Sequence, residues 1–177
     1  NGTVVSFIQS VFWEFGSGLT CPDTGVVFQN RGAGFTLESG PNQLAPGRRP
    51  FHTLNPAMAL LNDGRVLSYG TMGGEGQPQT QAAVFSRHAQ FGTSLQKAIS
   101  APRWLLGKTW GDDTTSLKIE ENADPDLVSA LRAAGHNVEL VPAFSSIMGH
   151  AGAVSVSQDH LFEAASDPRS DGIALAL

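Results

Sequence analysis

The amino-acid sequence predicts an α+β fold in which helices pack on antiparallel sheet. Three observations favour this fold: an Asp63-Gly64 turn between two apolar runs, helical periodicity after that turn, and further strand-like runs towards the end of the chain. The chain has 177 residues, of which 41% are hydrophobic, so it can bury one sizeable core. We therefore expect a single domain over residues 1–177.

The first third of the chain is predicted to contain strands joined by glycine-rich turns. Residues 2–10 are rich in β-branched and aromatic side chains, which predicts a strand buried on both faces. Asn1-Gly2 is a favourable type I′ turn pair, which implies that another strand precedes it. Residues 25–29 resume the strand pattern, and residues 37–50 have the composition of a surface loop.

The middle of the chain is predicted to form a hairpin and two helices. Residues 57–61 and 65–69 are the two arms of the hairpin around the Asp-Gly turn. A helix is predicted over 77–88, with one face formed by Ala82, Phe85 and Ala89. A second helix brings together Leu95, Ala98 and Ile99. It ends before Pro102, because the residue preceding a proline disfavours helical geometry.

The last third of the chain is predicted to alternate strands with one well-capped helix. Residues 116–120 alternate as a half-exposed strand. Asp124 is an N-cap followed by Pro125 at the first helical position, and Gly135 ends the helix. Its buried face is predicted to comprise Leu127, Val128, Leu131 and Ala134. Three further strands are predicted at 137–141, 152–157 and 161–165.

Composition excludes several classes of function. Acidic residues number 16 and basic residues 11, and the basic ones are scattered apart from Arg48-Arg49, so we expect no nucleic-acid partner. No apolar run approaches the length of a membrane span, so no membrane association is expected. The single Cys21 and the spacing of the five histidines predict no metal site, and we expect no cofactor. One cysteine favours a cytoplasmic location, with the periplasm as the alternative.

Two stretches are candidates for chemistry on their residues alone. The first stretch is a predicted strand at 65–69, followed by the glycines from Gly70 to Gly76 and a helix start at Pro78. Such a turn would leave backbone N–H groups free to bind an anion or an oxyanion. The alternative is a tight turn without a binding role. Arg31, beside a flexible glycine turn, could clamp a carboxylate or be a solvated turn residue. Asp167-Pro168-Arg169 is predicted to be a turn with a local ion pair.

Several separated motifs together resemble one family, in order and in spacing. They are Phe15-Gly16-Ser17-Gly18, Thr24-Gly25-Val26-Val27-Phe28-Gln29-Asn30, Met72-Gly73-Gly74, Ala101-Pro102-Arg103-Trp104 and Ala165-Ser166-Asp167-Pro168-Arg169. The chain resembles the small, C-terminal subunit of the γ-glutamyltransferase family. The resemblance implies an N-terminal-nucleophile hydrolase sandwich (αββα), with antiparallel sheets between helix layers. It also implies a large subunit cut from the same precursor, and we expect a dimer of such heterodimers.

The resemblance also assigns roles to residues. It places the nucleophile, a Thr whose own α-amine is the base, roughly nine residues before Asn1. Gly73 and Gly74 match the oxyanion-hole pair, and Ser10 matches a Thr whose hydroxyl supports the nucleophile on the neighbouring strand. A strand position would otherwise make Ser10 a buried, hydrogen-bonded hydroxyl. The residues matching the substrate pocket are Phe12, Arg31, Gly34, His52 and Thr53.

Three departures from the family pattern bear on the substrate. Gly34 stands where an Asp pairs the substrate ammonium, Phe12 where an Asn stands, and Arg31 where an uncharged polar residue stands. With Arg31 the pocket gains a positive charge, and with Gly34 it loses a negative one. Such a pocket disfavours a substrate with an amine and favours a substrate with a carboxylate. The motifs Met72-Gly73-Gly74-x-x-Gln77-Pro78-Gln79 and Gln29-Asn30-Arg31-Gly32 resemble the γ-glutamyltransferase-like branch, which includes acylase-like proteins and the oxamate amidohydrolases. Oxamate carries a carboxylate and no amine, which agrees with Arg31 at its position. The alternatives are a γ-glutamyl hydrolase or transferase, a glutaryl-type acylase, and a catalytically inactive binding protein.

Overall fold

The structure, a computed structural model, describes residues 2–107 and 114–175. Those residues contain seven strands and three α-helices: β1 (Ala57–Leu60), β2 (Val66–Thr71), α1 (Gln77–Phe85), α2 (Leu95–Ser100), β3 (Trp104–Leu106), β4 (Leu117–Glu120), α3 (Pro125–Ala133), β5 (Val138–Val141), β6 (Ala151–Val156) and β7 (Phe162–Ser166). The chain divides into a larger unit, Asn1–Phe7 with Asn55–Leu177, and a smaller unit, Ile8–Leu54. The single domain stays a prediction.

The larger unit is built on a four-stranded antiparallel sheet in the order β1-β2-β6-β7. The predicted Asp63-Gly64 hairpin is confirmed, since β1 pairs with β2 and the Leu61 N–H donates to the Arg65 carbonyl at 2.8 Å. The strands predicted at 152–157 and 161–165 are also confirmed as β6 and β7. The sheet therefore follows local turn signals in the sequence.

Helices α1 and α2 cover one face of this sheet. Leu67 of β2 packs there with Val84 of α1 and with Leu95 and Ile99 of α2. The buried residues predicted for α2 are confirmed. The face predicted for α1 is confirmed at Phe85, which packs against the core, and wrong at Ala82, which is exposed. The buried positions of α1 and of the π-helical turn Ser86–Gln90 after it are Gln77, Thr80, Val84 and His88. Hydrogen bonds satisfy the polar ones, as when the Thr80 hydroxyl donates to the Met148 carbonyl at 3.0 Å.

The opposite face of the four-stranded sheet is apolar and open. Side chains alternate along each strand, so the positions in register with Ser68 point away from α1 and α2. The exposed apolar residues on that face include Met58, Leu60, Val154 and Phe162. An antiparallel sheet with one covered face and one apolar open face requires a second layer.

A second, three-stranded sheet has the order β3-β4-β5. β4 and β5 are parallel and are joined by α3, so this sheet is mixed and not wholly antiparallel as predicted. The short strand β3 was not predicted. The expectation of a half-exposed strand at 116–120 is also wrong, because Lys118, Ile119 and Glu120 are all buried. Glu120 can be buried because the Arg169 guanidinium and the backbone N–H groups of Arg103 and Ser145 pair with its carboxylate.

Helix α3 begins and ends as predicted, but its buried face is smaller. The Asp124 carboxylate accepts from the Asp126 N–H at 2.9 Å, which confirms the N-cap. Only Val128 is buried in this helix, and Leu127 and Ala134 are exposed. The reason is that Leu127 and Leu131 of α3 border an open groove and do not pack in a closed core.

The strand predicted over residues 2–10 is wrong, and the predicted turn residue Asn1 lies outside the described residues. Residues 2–10 have no regular structure, and Val5 and Phe7 are 70% and 75% exposed. β1 and β6 already pair with the two edges of β2, so residues 2–10 cannot form a strand hydrogen-bonded to the backbone of β2. The segment reaches β2 through hydroxyl groups instead: Ser68 donates to the Val5 carbonyl at 3.1 Å.

The smaller unit, Ile8–Leu54, consists mainly of turns. The expected strand at 25–29 is replaced by one antiparallel bridge between Thr20 and Val27. Each bridged residue follows a positive-φ glycine by two positions, Gly18 before Thr20 and Gly25 before Val27, and such glycines interrupt a strand. The predicted loop at 37–50 is confirmed as irregular, with one bridge from Thr36 to Gln43.

Candidate active site

The glycine turn after β2 presents two free backbone donors. Gly73 and Gly74 have φ values of 135° and 52°, which a residue with a side chain adopts only with strain. The Gly76 N–H donates to the Gly73 carbonyl at 2.9 Å and leads into α1 at Gln77. Among the described residues, neither the Gly73 N–H nor the Gly74 N–H has a hydrogen-bond acceptor. Two adjacent unpaired N–H groups at a helix start can bind an oxyanion.

The start of β6 holds this turn in place. The Met72 N–H donates to the His150 carbonyl at 3.0 Å, and the buried Thr71 hydroxyl donates to the Met72 carbonyl at 2.7 Å. Gly149 lies so close that an added Cβ would be 2.3 Å from the Met72 carbonyl oxygen. A Cβ added to Gly73 would in turn lie 3.3 Å from the Gly149 Cα, which is a tight contact. The turn therefore depends on Gly149, a residue that sequence reasoning missed.

Arg31 in the smaller unit is buried but only partly satisfied. It is 4% exposed, its Nη1 donates to the Thr53 hydroxyl at 3.0 Å, and its guanidinium carbon lies 4.7 Å from the centre of the Phe12 ring. Its Nη2 is buried without a hydrogen-bond partner. Within the described residues no carboxylate pairs with Arg31. A buried cation with a free N–H pair is suited to bind an anion.

The other predicted pocket residues differ in their relation to Arg31. A Cβ added to Gly34 would be 3.7 Å from the Phe12 ring, so Gly34 borders the same ring. His52 is exposed. The expectation of Ser10 as a buried strand residue is wrong, because Ser10 is exposed and lies outside any strand. Its hydroxyl accepts from the Phe12 N–H at 2.9 Å, within the turn that holds Phe12 at φ 81°.

The Asp167 turn belongs to a buried network that joins both sheets of the larger unit. Arg103 pairs with Asp167 at 2.6 Å, Arg169 pairs with Asp167 at 3.0 Å, and Arg169 also pairs with Glu120. Burial disfavours the Asp167 carboxylate, but a hydrogen bond from the Ala151 N–H and the charge of Arg103 outweigh it, so the pKa of Asp167 is lowered. The predicted local ion pair is thus present, as one part of a larger network.

This network reaches the glycine turn through Arg103. The Arg103 guanidinium donates to the carbonyls of Met148 at 3.2 Å and Gly149 at 2.8 Å. The sequence predicted only the local pair of Asp167 with Arg169; it gave no indication that Arg103 and Glu120 belong to the same network. In residues 2–107 and 114–175, no group of three or more His, Cys, Asp or Glu side chains could hold a metal ion. No helix in that part of the chain is long and apolar enough to cross a membrane.

Comparisons with known proteins agree on one family. A family model described as gamma-glutamyltranspeptidase matches residues 1–177. Oxamate amidohydrolase proenzyme of Klebsiella pneumoniae is 57% identical over 98% of this chain, and the glutathione hydrolase-like YwrD proenzyme of Bacillus subtilis is 44% identical over 100% of it. The chain spans about a third of the length of these curated relatives, 33% and 34% respectively.

A solved structure shows the same fold. Gamma-glutamyltranspeptidase from Pseudomonas nitroreducens, complexed with L-DON, superposes with a TM-score of 0.80 and 24% identity, covering 99% of this chain and 94% of that one. The predicted N-terminal-nucleophile hydrolase fold is therefore confirmed, with the mixed second sheet described above.

Proposed function

Because the chain belongs to the gamma-glutamyltranspeptidase family, we propose that it is the small subunit of a self-cleaved amidohydrolase. The substrate we propose is a small amide that carries a carboxylate, with oxamate as the first candidate. The relatives that support this are proenzymes by name, and the one at 57% identity is named for oxamate.

The observation that carries this proposal is the buried, incompletely paired Arg31. A guanidinium with a free Nη2, a neutral Thr53 partner and a Phe12 ring has unused positive charge in a site of low polarity. A substrate carboxylate would supply the missing acceptor, and hydrogen bonds to charged groups contribute about 1.5–3 kcal/mol. Thr53 and Phe12 then act by orienting the guanidinium.

The same site is unsuited to a substrate amine. Gly34 has no side chain, and within the described residues no carboxylate accompanies Arg31 that could neutralise an ammonium group. An ammonium placed near Arg31 would be repelled and would lose its solvation without compensation. Oxamate has a carboxylate and a primary amide but no amine, so its charge matches that of the site.

In the reaction we propose, a Thr at the mature N-terminus of the small subunit attacks the amide carbonyl. Its α-amine accepts the hydroxyl proton and passes it to the departing nitrogen, so ammonia leaves and an ester forms. Water then hydrolyses the ester and restores the hydroxyl, with oxalate as the product. The Gly73 and Gly74 N–H groups would stabilise the oxyanion in both steps, and Ser10 would position the Thr.

The partner we propose is a large subunit from the same precursor. The open apolar face of the four-stranded sheet, with Met58, Leu60 and Phe162 exposed, supports a second sheet layer there. The share of the relatives that this chain spans supports a larger partner from the remaining sequence. A dimer of heterodimers and a cytoplasmic location stay predictions.

The test is hydrolysis by the purified, self-cleaved protein. We expect ammonia release from oxamate and slow turnover of γ-glutamyl-p-nitroanilide, with a Thr as the first residue of the small subunit by N-terminal sequencing. Efficient γ-glutamyl turnover without ammonia release from oxamate would favour the γ-glutamyl hydrolase or transferase. Preference for a glutaryl amide would favour the acylase. A first residue without a nucleophilic hydroxyl or thiol would indicate the inactive binding protein.

A further inference from the structure

An open apolar groove lies between the second sheet and α3, in a part of the larger unit that the proposed reaction does not use. The groove has a volume of about 540 Å³. Its apolar walls are formed by Trp104, Leu106, Leu117, Ile119, Leu127 and Leu131. Leu106 and Leu127 are 54% and 52% exposed, so the rim of the groove faces solvent in this chain.

Arg87 supplies an unpaired cation to this groove. It lies in the π-helical turn Ser86–Gln90, and its Nη2 donates to the Pro102 carbonyl at 2.6 Å. Its Nη1 is buried without a hydrogen-bond partner, and the Nε of Arg103, which also borders the groove, is likewise unpartnered. π-Helical turns are frequent at functional sites because they redirect a side chain.

The charges around Arg87 favour an anionic group in the groove. Arg103 and Arg169 pair with the two buried carboxylates of Asp167 and Glu120, so the charge of Arg87 has no buried carboxylate of its own. Asp124 also borders the groove, but it is exposed and its carboxylate caps α3. In the described part of the chain no carboxylate pairs with Arg87. Burial, and then repulsion from Arg169, lower the pKa of Arg87. The Glu120 carboxylate opposes these effects but does not outweigh them, and a further carboxylate close to Arg87 would oppose them more strongly.

We propose that this groove is a docking site for the large subunit, and that a carboxylate side chain of that subunit pairs with Arg87. The occupant is an apolar segment with one acidic residue. The inference rests on the proposed function only in taking the partner to be the other chain of the precursor. It adds a second contact surface to the open face of the four-stranded sheet.

The shape of the groove favours a protein segment over a small molecule. A small-molecule site encloses most of its ligand, whereas here two leucines on the rim are more than half exposed. An extended apolar surface with a polar or charged group at one end is typical of a protein contact. The chain spans about a third of its curated relatives, so a covalent precursor provides a partner of sufficient size.

The first test replaces a leucine on the rim of the groove. Leu127→Asp in the full-length, self-cleaved protein is compared with Ser129→Asp, which places the same charge at an exposed position of the same helix. Dissociation of the two subunits in increasing urea, followed by size-exclusion chromatography, is the measurement. We expect at least a tenfold larger dissociation constant for Leu127→Asp and no change for Ser129→Asp. Equal dissociation of both variants and the parent protein would overturn the docking site.

The second test addresses the charge. Arg87→Met keeps a long apolar side chain, and Arg87→Lys keeps the cation. We expect subunit dissociation to increase at least tenfold for Arg87→Met and less for Arg87→Lys, with thermal unfolding of the undissociated heterodimer recorded separately. Native mass spectrometry that finds a small anion retained by the parent and lost from Arg87→Met would overturn a protein occupant.

These measurements do not depend on oxamate. If subunit dissociation follows the predicted order while oxamate releases no ammonia, the docking site stands and the proposed substrate fails. If oxamate is hydrolysed but the substitutions leave dissociation unchanged, the docking site fails and the proposed function stands.

Discussion

Each unit of this chain buries arginine side chains, and Arg103 and Arg169 in the larger unit are satisfied in the opposite way to Arg31 in the smaller unit. In the larger unit, Arg103 and Arg169 pair with the carboxylates of Asp167 and Glu120, and all four side chains are fully buried. In the smaller unit, Arg31 is buried beside a hydroxyl and an aromatic ring, with Nη2 left unpartnered. A buried arginine with carboxylate partners holds structure together, whereas one without them is ready to bind an anion.

We expect the paired arginines to contribute to the stability of the fold and the unpaired Arg31 to contribute to anion binding. Removing a partner from the paired network leaves an uncompensated buried charge, which costs about 3–5 kcal/mol. Removing the charge of Arg31 instead removes the unfavourable burial of an unpaired cation. The main loss of stability then comes from the packing contacts of the side chain. The following substitutions test this contrast, from the largest expected effect to the smallest.

Glu120→Gln should have the largest effect. The Glu120 carboxylate accepts from the Arg103 N–H, the Ser145 N–H and the Arg169 guanidinium, and an amide cannot accept from all of them. We expect the free energy of unfolding to fall by about 3–5 kcal/mol, measured by urea denaturation. The control is Glu121→Gln at the adjacent exposed position, expected to change stability by less than about 0.5 kcal/mol. Similar losses for the two would show that the buried network is not stabilising.

Gly149→Ala should reduce turnover more than stability. A Cβ there would be 2.3 Å from the Met72 carbonyl, at φ 78°, and would displace the turn that carries Gly73 and Gly74. Loss of one oxyanion donor typically lowers kcat by about 10²–10³. The control is Gly152→Ala, three residues further along in β6, where a Cβ meets no atom within 4 Å. An unchanged kcat in Gly149→Ala would remove the turn from the mechanism.

The paired network also predicts how stability depends on pH. The pKa of Asp167 is lowered in the folded protein, while its unfolded value is about 3.9. Its contribution is therefore fully present above that unfolded value and is lost as pH falls through the folded pKa. Asp167→Asn should be less stable at neutral pH, and its stability should decline less steeply below pH of about 4. Parallel curves of unfolding free energy for the two proteins would contradict this.

Arg31→Met should have the smallest effect on stability. Loss of the Thr53 hydrogen bond opposes relief of the unpaired charge, so we expect a change within about 1 kcal/mol by the same urea assay. The matched control is Arg48→Met, at an exposed position of the same unit. A loss as large as that of Glu120→Gln would make Arg31 structural and erase the contrast.

Features encoded by neighbouring residues could be predicted from the sequence. The Asp63-Gly64 turn and the Asp124-Pro125 cap each depend on a few adjacent residues, and both form as expected. The resemblance to the family correctly predicted the fold, and the structure brings Phe12, Arg31 and Thr53 together.

Features that depend on distant residues could not be predicted. Glu120 reads as the exposed end of an alternating strand, because its partner Arg169 is 49 residues away. Gly149 must lack a Cβ because of Met72, which follows β2 and is 77 residues away in the sequence. Leu127 has the helical spacing of a core residue, but it borders a groove, since periodicity does not distinguish a core from a surface for another chain.

The contrast between the two kinds of buried arginine is tested most directly by comparing a charged and a neutral substrate. Oxamate and oxamide share the same scissile amide, but only oxamate has a carboxylate. For Arg31→Met we predict that kcat/KM falls about 10- to 100-fold on oxamate, as expected for a lost hydrogen-bonded charge pair, and changes little on oxamide. Equal losses on both substrates, or no loss on oxamate, would contradict the role of Arg31 as the carboxylate-binding residue.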